Sequence, residues 1–207
     1  MIAVIRSKCE LEAIARLTLG KFWGYPIETL KCADKPDLQD EVHSYGIEVV
    51  EDCYPNEKKA ERIFDKVWNV PYSDIATKKL AKFEEAGGEL KVKDNKIVGG
   101  LLGKSGNGPN HLIGVIRDKI KKLNGGGYAK FNTYGLYVYV STTYLWDSYI
   151  QSVIDEVSRI ESKLKYKTIY LDIGFEMCIC DMDSKTYERK AIDREQRRRL
   201  IEHLQKS

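Results

Sequence analysis

The chain has 207 residues, 43% of them hydrophobic and 31% charged, with a net charge of +3. That is enough to bury a real core, and the composition is that of a folded globular protein rather than a disordered one. No apolar run approaches bilayer length and the start, MIAVIRSKCELEA, lacks a signal-peptide core, so the expected location is the cytoplasm, with no membrane partner. The charge is too small to imply a nucleic-acid partner by itself.

In chain order, Cys9–Trp23 carries Leu11, Ile14, Ala15, Leu17 and Leu19 at helical spacing and ends near Gly20–Gly24. Pro26–Ala33 reads as a short strand and KPDLQDE as a turn or short extended piece, because a proline disfavours helix at the residue before it. Tyr45–Asp52 is the next strand. Charged helices follow from about Asn56 to Asn69 and Ser73 to Ala86, then ELKVKDNKIVGG, an exposed hairpin centred on Asp94-Asn95.

HLIGVIRDKIKKLNG is an amphipathic helix closed by glycines, and Thr133–Thr142 a continuous apolar and aromatic strand of the kind found at a sheet centre. WDSYIQSVIDEVSRIESKL is a helix, and KTIYLDI and FEMCICDM are strands. Lys185–Ser207, with eight Lys/Arg against four Asp/Glu, reads as a basic, solvated tail or helix. The order predicts one α/β domain spanning 1–207, a mixed central sheet flanked by helices, interrupted by an insertion at 54–110.

Most chemical motifs fall away on spacing. Gly103-Lys104-Ser105 would complete a phosphate loop only with glycine at position 98, which is Val98. A loop joining the insertion to the core is the preferred reading. The three histidines are isolated, and no G-x-S-x-G elbow exists. Five scattered cysteines fit reduced thiols, and the lone C-x-C at Cys178 and Cys180 lacks two further soft ligands, so buried free thiols are expected there.

The acids of KPDLQDEVHSYGIEVVED are different. Glu48 and Val50 project to one face of the strand, and Ile47, Val49 and Glu51 to the other. Asp37 lies eleven residues before Glu48, a separation that lets a turn and a short return strand bring the two together. Paired carboxylates repel and perturb each other, and a hard divalent cation relieves that repulsion. The other reading is a surface acid cluster with Glu48 facing solvent. Asp40, Glu41, Glu51 and Asp52 are expected to be solvated turn and strand-end charges.

Pro36-Asp37, then Glu48-Val49-Val50 at the end of YGIEVV, resembles the PD-(D/E)XK nuclease superfamily, in a variant of the form P-D-x-Q and G-[IV]-E-V that Leu38 and Gln39 complete. The resemblance spans roughly residues 9–53 and 111–142, in the helix, three-strand, helix, strand order of that superfamily's core. It implies a restriction-endonuclease-like fold and Mg²⁺- or Mn²⁺-dependent hydrolysis of a phosphodiester in DNA. Asp37, Glu48 and the Val49 carbonyl would be metal ligands, with Glu12 or Glu10 as an outer carboxylate. A homodimer is compatible with it.

The departure lies at Val50, where the family's lysine would stand. On the helix from His111, the apolar residues Leu112, Ile113, Ile116, Ile120 and Leu123 form one face. Lys119 sits at its edge, Lys122 one step further out, and Lys121 points away. Lys119, then Lys122, is therefore the expected replacement. The alternative is the same fold without catalysis, serving as a nucleic-acid-binding or protein-interaction module.

Overall fold

The structure, a computed structural model, describes residues 8–102, 109–140 and 145–204. Gly103-Lys104-Ser105 lie outside them. The chain begins with α1 (Lys8–Trp23), β1 (Leu30–Cys32), β2 (Leu38–Asp40) and β3 (Tyr45–Asp52). Next come α2 (Pro55–Val67), α3 (Thr77–Glu85), β4 (Gly88–Lys93) and β5 (Lys96–Leu102). It continues through α4 (Pro109–Asn124), β6 (Thr133–Val140), α5 (Asp147–Ser158) and β7 (Thr168–Asp172). Then β8 (Glu176–Asp181), β9 (Thr186–Ala191) and α6 (Arg194–Leu204) close it. These elements form two compact units, Cys53–Gly106 and a larger one made of Arg6–Asp52 with Asn107–Ser207.

The larger unit is a seven-stranded sheet in the order β1-β2-β3-β6-β7-β8-β9. Strands β3, β6 and β7 run parallel, while both flanks are antiparallel meanders. Parallel strands require covered faces, and β6, TYGLYVYV, is buried along nearly its whole length. Its Leu136, Val138 and Val140 pack with Ile113, Ile116 and Ile120 of α4 and with Val153 and Ile154 of α5. Its Tyr137 and Tyr139 join Ile14 and Leu19 of α1 on the opposite face. The result is an α/β unit with helices on both sides of a mixed sheet.

Several boundaries differ from expectation. Strand β1 is shorter because Pro26 folds the preceding residues into a turn, its carbonyl accepting the N–H groups of Thr29 and Leu30. Helix α3 starts late, after a separate helical turn at Tyr72–Asp74. Helix α5 stops at Ser158, and the Asn124 side chain then holds the Leu164 backbone through both its N–H and its carbonyl, each at 2.9 Å.

The C-terminal segment departs most. Part of it is the edge strand β9, and α6 is not simply solvated, because Arg197 is buried. Its guanidinium grips both oxygens of Asp172 at 2.6 Å each. Asp172 also accepts the Tyr137 hydroxyl and the Gly174 N–H. A buried carboxylate so fully satisfied is a docking point that fastens α6 to the sheet.

The smaller unit holds α2, α3 and the β4–β5 hairpin around Ala60, Phe64, Val67, Phe83, Ala86 and Ile97. The glycines at 99 and 100, which begin the Gly-rich segment GGLLGKSGNGPN, belong instead to the second hairpin strand, which runs on to Leu102.

Candidate functional site

In the β2–β3 register Leu38 faces Ile47, so Asp37, one residue before β2, falls beside Glu48. The Asp37 Oδ2 accepts the Val49 backbone N–H at 2.8 Å, which fixes the side chain against β3. The turn ahead of it is tied twice. The Ala33 N–H reaches the Asp37 carbonyl at 2.8 Å, and the Gln39 amide donates to the carbonyls of Asp34 and Pro36. Gly46 is required by closeness: a Cβ there would lie 2.5 Å from Pro36 Cγ. The proline, the acid, the glutamine and the glycine of the two short motifs are thus one packing unit.

Strand β3 lies between β2 and β6, so Glu48 is on an interior strand and is buried along with Asp37. Its compensation comes from α4, where Lys119 Nζ stands 2.6 Å from Glu48 Oε1. Two residues along the strand, Val50 packs into the core against which α4 lies. A further two residues on, Asp52 faces His111, with Oδ1 and Nε2 3.0 Å apart. The spacing is matched: eight helical residues from His111 to Lys119 rise about 12 Å, and four strand residues from Glu48 to Asp52 span about 13 Å. Helix α4 therefore runs against β3 with an acid–base pair at each end and an apolar step between. A lysine at position 50 would be redundant in charge and would displace core packing.

Lys122 is exposed and is not among the groups at the acids, because it lies in the last turn on the solvent flank of α4. Of the two α1 acids it is Glu12 that is buried and faces Asp37. Burial, then the Asp37 charge, pushes the Glu12 acid above its ordinary value. Two of the expected solvated acids are in fact buried, Asp52 at the α4 contact and Asp40. Asp40 accepts Thr29 Oγ1, the His43 N–H and the His43 ring, which makes it the closure of the β2–β3 turn.

Three participants carry no signal that the motif reading used. Lys8 places Nζ 2.8 Å from Asp37 Oδ1 and 3.3 Å from Glu12. Its one trace in the sequence is the i, i+4 spacing to Glu12. Tyr128 sits in the loop after α4, which turns through Gly126 and Gly127 at positive φ and is pinned by the Ala129 N–H on the Lys35 carbonyl at 2.8 Å. Burial, then the neighbouring Glu48 charge, holds the Tyr128 phenol well above its ordinary value. Tyr166 is raised by the same two causes, and its hydroxyl donates to the Lys119 carbonyl at 3.3 Å.

The fit to a cation can be judged on the oxygens. Among the described residues Glu48 Oε2 is buried with no hydrogen-bond partner of good geometry, though the Tyr128 side chain lies close to Glu48; such a lone pair is of the kind a hard cation satisfies. Among the described residues no three Asp, Glu, His or Cys side chains converge as a ready metal cage. Mg²⁺, however, is commonly held by only one or two carboxylates while retaining waters. Asp37 and Glu48 fit that sparser set. The thiols do not contribute: Cys178 and Cys180 are buried and free, and burial pushes the Cys178 thiol up to about 11.

No helix among the described residues is long and apolar enough to cross a membrane. In comparison with known proteins, the chain matches no family model, no curated protein and no solved structure.

Proposed function

We propose that the chain is a metal-dependent nuclease of the PD-(D/E)XK type, hydrolysing phosphodiesters in DNA at Asp37, Glu48 and Lys119. One observation carries the reading: the ammonium missing from position 50 is supplied to Glu48 by Lys119 from α4, at 2.6 Å. The β2–β3 hairpin, the covered parallel strand β6 and the α1–β1–β2–β3 then α4–β6 order support the same reading.

In this scheme Asp37 and Glu48 hold Mg²⁺ or Mn²⁺, with Glu12 further out. The Val49 carbonyl lies on the same strand edge as the N–H that Asp37 engages and would be the third oxygen. When bound, the ion polarises the phosphate and lowers the pKa of a coordinated water. The chain's own residues orient and balance charge. The Val49 N–H fixes one Asp37 oxygen, Lys119 fixes one Glu48 oxygen, and Lys119 brings positive charge to where the pentacovalent phosphate gains negative charge. Tyr128 and Tyr166 narrow the space around Glu48 and keep it poorly solvated.

The test is cleavage of end-labelled DNA by purified protein with Mg²⁺ or Mn²⁺. Wild type is expected to cut and Asp37→Ala to lose at least a hundredfold; equal inertness of both under several metals refutes the reading. A non-catalytic nucleic-acid-binding or protein-interaction module is the second reading, favoured by the lysines already on both acids, Lys8 on Asp37 and Lys119 on Glu48. Calorimetry separates the two, because the module requires no Mg²⁺ or Mn²⁺ binding.

A further inference from the structure

The two ammonium groups at the acids are held in different ways. Lys119 reaches Glu48 from α4 with its side chain 14% exposed, whereas the Lys8 side chain is 66% exposed. Lys119 is seated in the fold. Lys8 lies mostly in solvent and enters the site with its end, Nζ standing 2.8 Å from Asp37 Oδ1 and 3.3 Å from Glu12 Oε1.

The oxygen that Lys8 holds is the one a cation needs. Asp37 Oδ2 is turned to the strand, where it accepts the Val49 N–H at 2.8 Å. That leaves Oδ1 as the Asp37 oxygen for a ligand, and Lys8 is on it. Glu48 divides its oxygens in the same way: Lys119 takes Oε1, and Oε2 has no hydrogen-bond partner of good geometry among the described residues. Of these two remaining oxygens it is Asp37 Oδ1 that a lysine caps.

The cap is a poor match for the charge beneath it. Asp37 and Glu12 are both buried, and one ammonium faces the two carboxylates. Even with Lys8 in place, burial and then the Asp37 charge keep the Glu12 acid above its ordinary value. A divalent cation brings twice the charge and coordinates hard oxygens directly, where an ammonium offers hydrogen bonds alone. A lysine so exposed loses little on leaving, because solvent-facing ion pairs are weak and the freed side chain regains its rotamers.

We infer that Lys8 is a displaceable plug of the metal site: in the unloaded protein its ammonium occupies Asp37 Oδ1, and Mg²⁺ or Mn²⁺ enters by driving it into solvent. The plug rests on the metal reading of Asp37 and Glu48 and adds a gate to it. Loading becomes a competition between a tethered single charge and a free double one. When the divalent ion is scarce, the site empties without leaving its buried acids bare.

The test measures Mn²⁺ binding to the full chain by calorimetry, without nucleic acid, and thermal unfolding in EDTA and at one fixed Mn²⁺ concentration. Lys8→Met should bind Mn²⁺ about threefold or more tightly than wild type, the change expected when a competing exposed ion pair is removed. It should melt lower than wild type in EDTA, where Asp37 and Glu12 face each other unmatched, yet gain more Tm from Mn²⁺. Lys8→Gln should behave in the same way, which covers a folding defect peculiar to the methionine. Lys8→Arg keeps the charge and should bind Mn²⁺ no more tightly than wild type. Lys122→Gln removes an equal charge from the solvent flank of α4 and should leave the affinity within about twofold. Equal or weaker binding by both neutral Lys8 variants overturns the inference while leaving the metal site standing, and so does an equal gain in Lys122→Gln. Mn²⁺ binding by none of the proteins removes the metal site itself, and the plug with it.

Discussion

The pair Lys119–Glu48 joins two segments 71 residues apart in sequence, and a double-mutant cycle measures whether it does so. Their side chains are 14% and 7% exposed, so both charges have lost most of their water. At 2.6 Å the gross attraction is on the order of 6 kcal/mol at an effective dielectric near 20, most of which is offset by desolvation. Lys119→Met alone leaves Glu48 buried, charged and unmatched, and should cost about 3–5 kcal/mol in EDTA. Glu48→Gln alone strands the ammonium, but the long lysine can swing outward, so the loss should be smaller, about 1–3 kcal/mol. The double variant should lose no more than the worse single one, giving a coupling of at least about 1–3 kcal/mol. Urea unfolding of the four proteins with metal removed is the assay. A coupling below about 0.5 kcal/mol would mean that the two groups do not meet, and would remove the observation on which the catalytic reading rests.

Arg197→Met should lower stability by about 3–5 kcal/mol by orphaning the Asp172 carboxylate. Arg197→Lys should recover only part of it, since an ammonium cannot reproduce the two-pronged grip; full rescue in a urea titration would refute that account. Acidification offers a third check. Burial raises the Asp40 acid, but the hydrogen bonds from His43 and Thr29 outweigh it and hold it below its ordinary value of 3.8. A carboxyl lowered in the folded state contributes stability that is complete above the ordinary carboxylate range and is lost as pH falls through the lowered value. Thermal melts should therefore show Asp40→Asn less stable than wild type at pH 7, with the gap narrowing below pH 4; a constant gap refutes the linkage.

Much of the larger unit was legible because its elements announce themselves by period. The apolar face of α4 placed Lys119 at its rim, and a lysine there is long enough to reach the strand the helix covers. Asp37 beside Glu48 followed from a turn of the right length. What stayed hidden were pairings between distant segments. Asp40 and Asp52 are polar residues at strand ends; Asp40 is enclosed by Thr29 from before β1 together with the nearby His43, and Asp52 by His111 arriving from α4. Arg197 reads as one more charge in RRR, because nothing local marks it as the partner of Asp172. Strand β9, TYERKA, covers only Tyr187 and Arg189, and those only partly, so its composition mimics a solvated tail. Lys8 and Tyr128 meet the acids through chain geometry that no motif spacing encodes.

The two rims of the sheet bear on how copies of this protein behave in a crowded solution. One rim, β1, offers only three residues of open backbone, and the other, β9, carries Glu188, Arg189 and Lys190 in succession. A neighbouring chain attempting to continue the sheet would find one template too short to hold it and another studded with charge. Strand addition is thus disfavoured at both rims of this seven-stranded sheet.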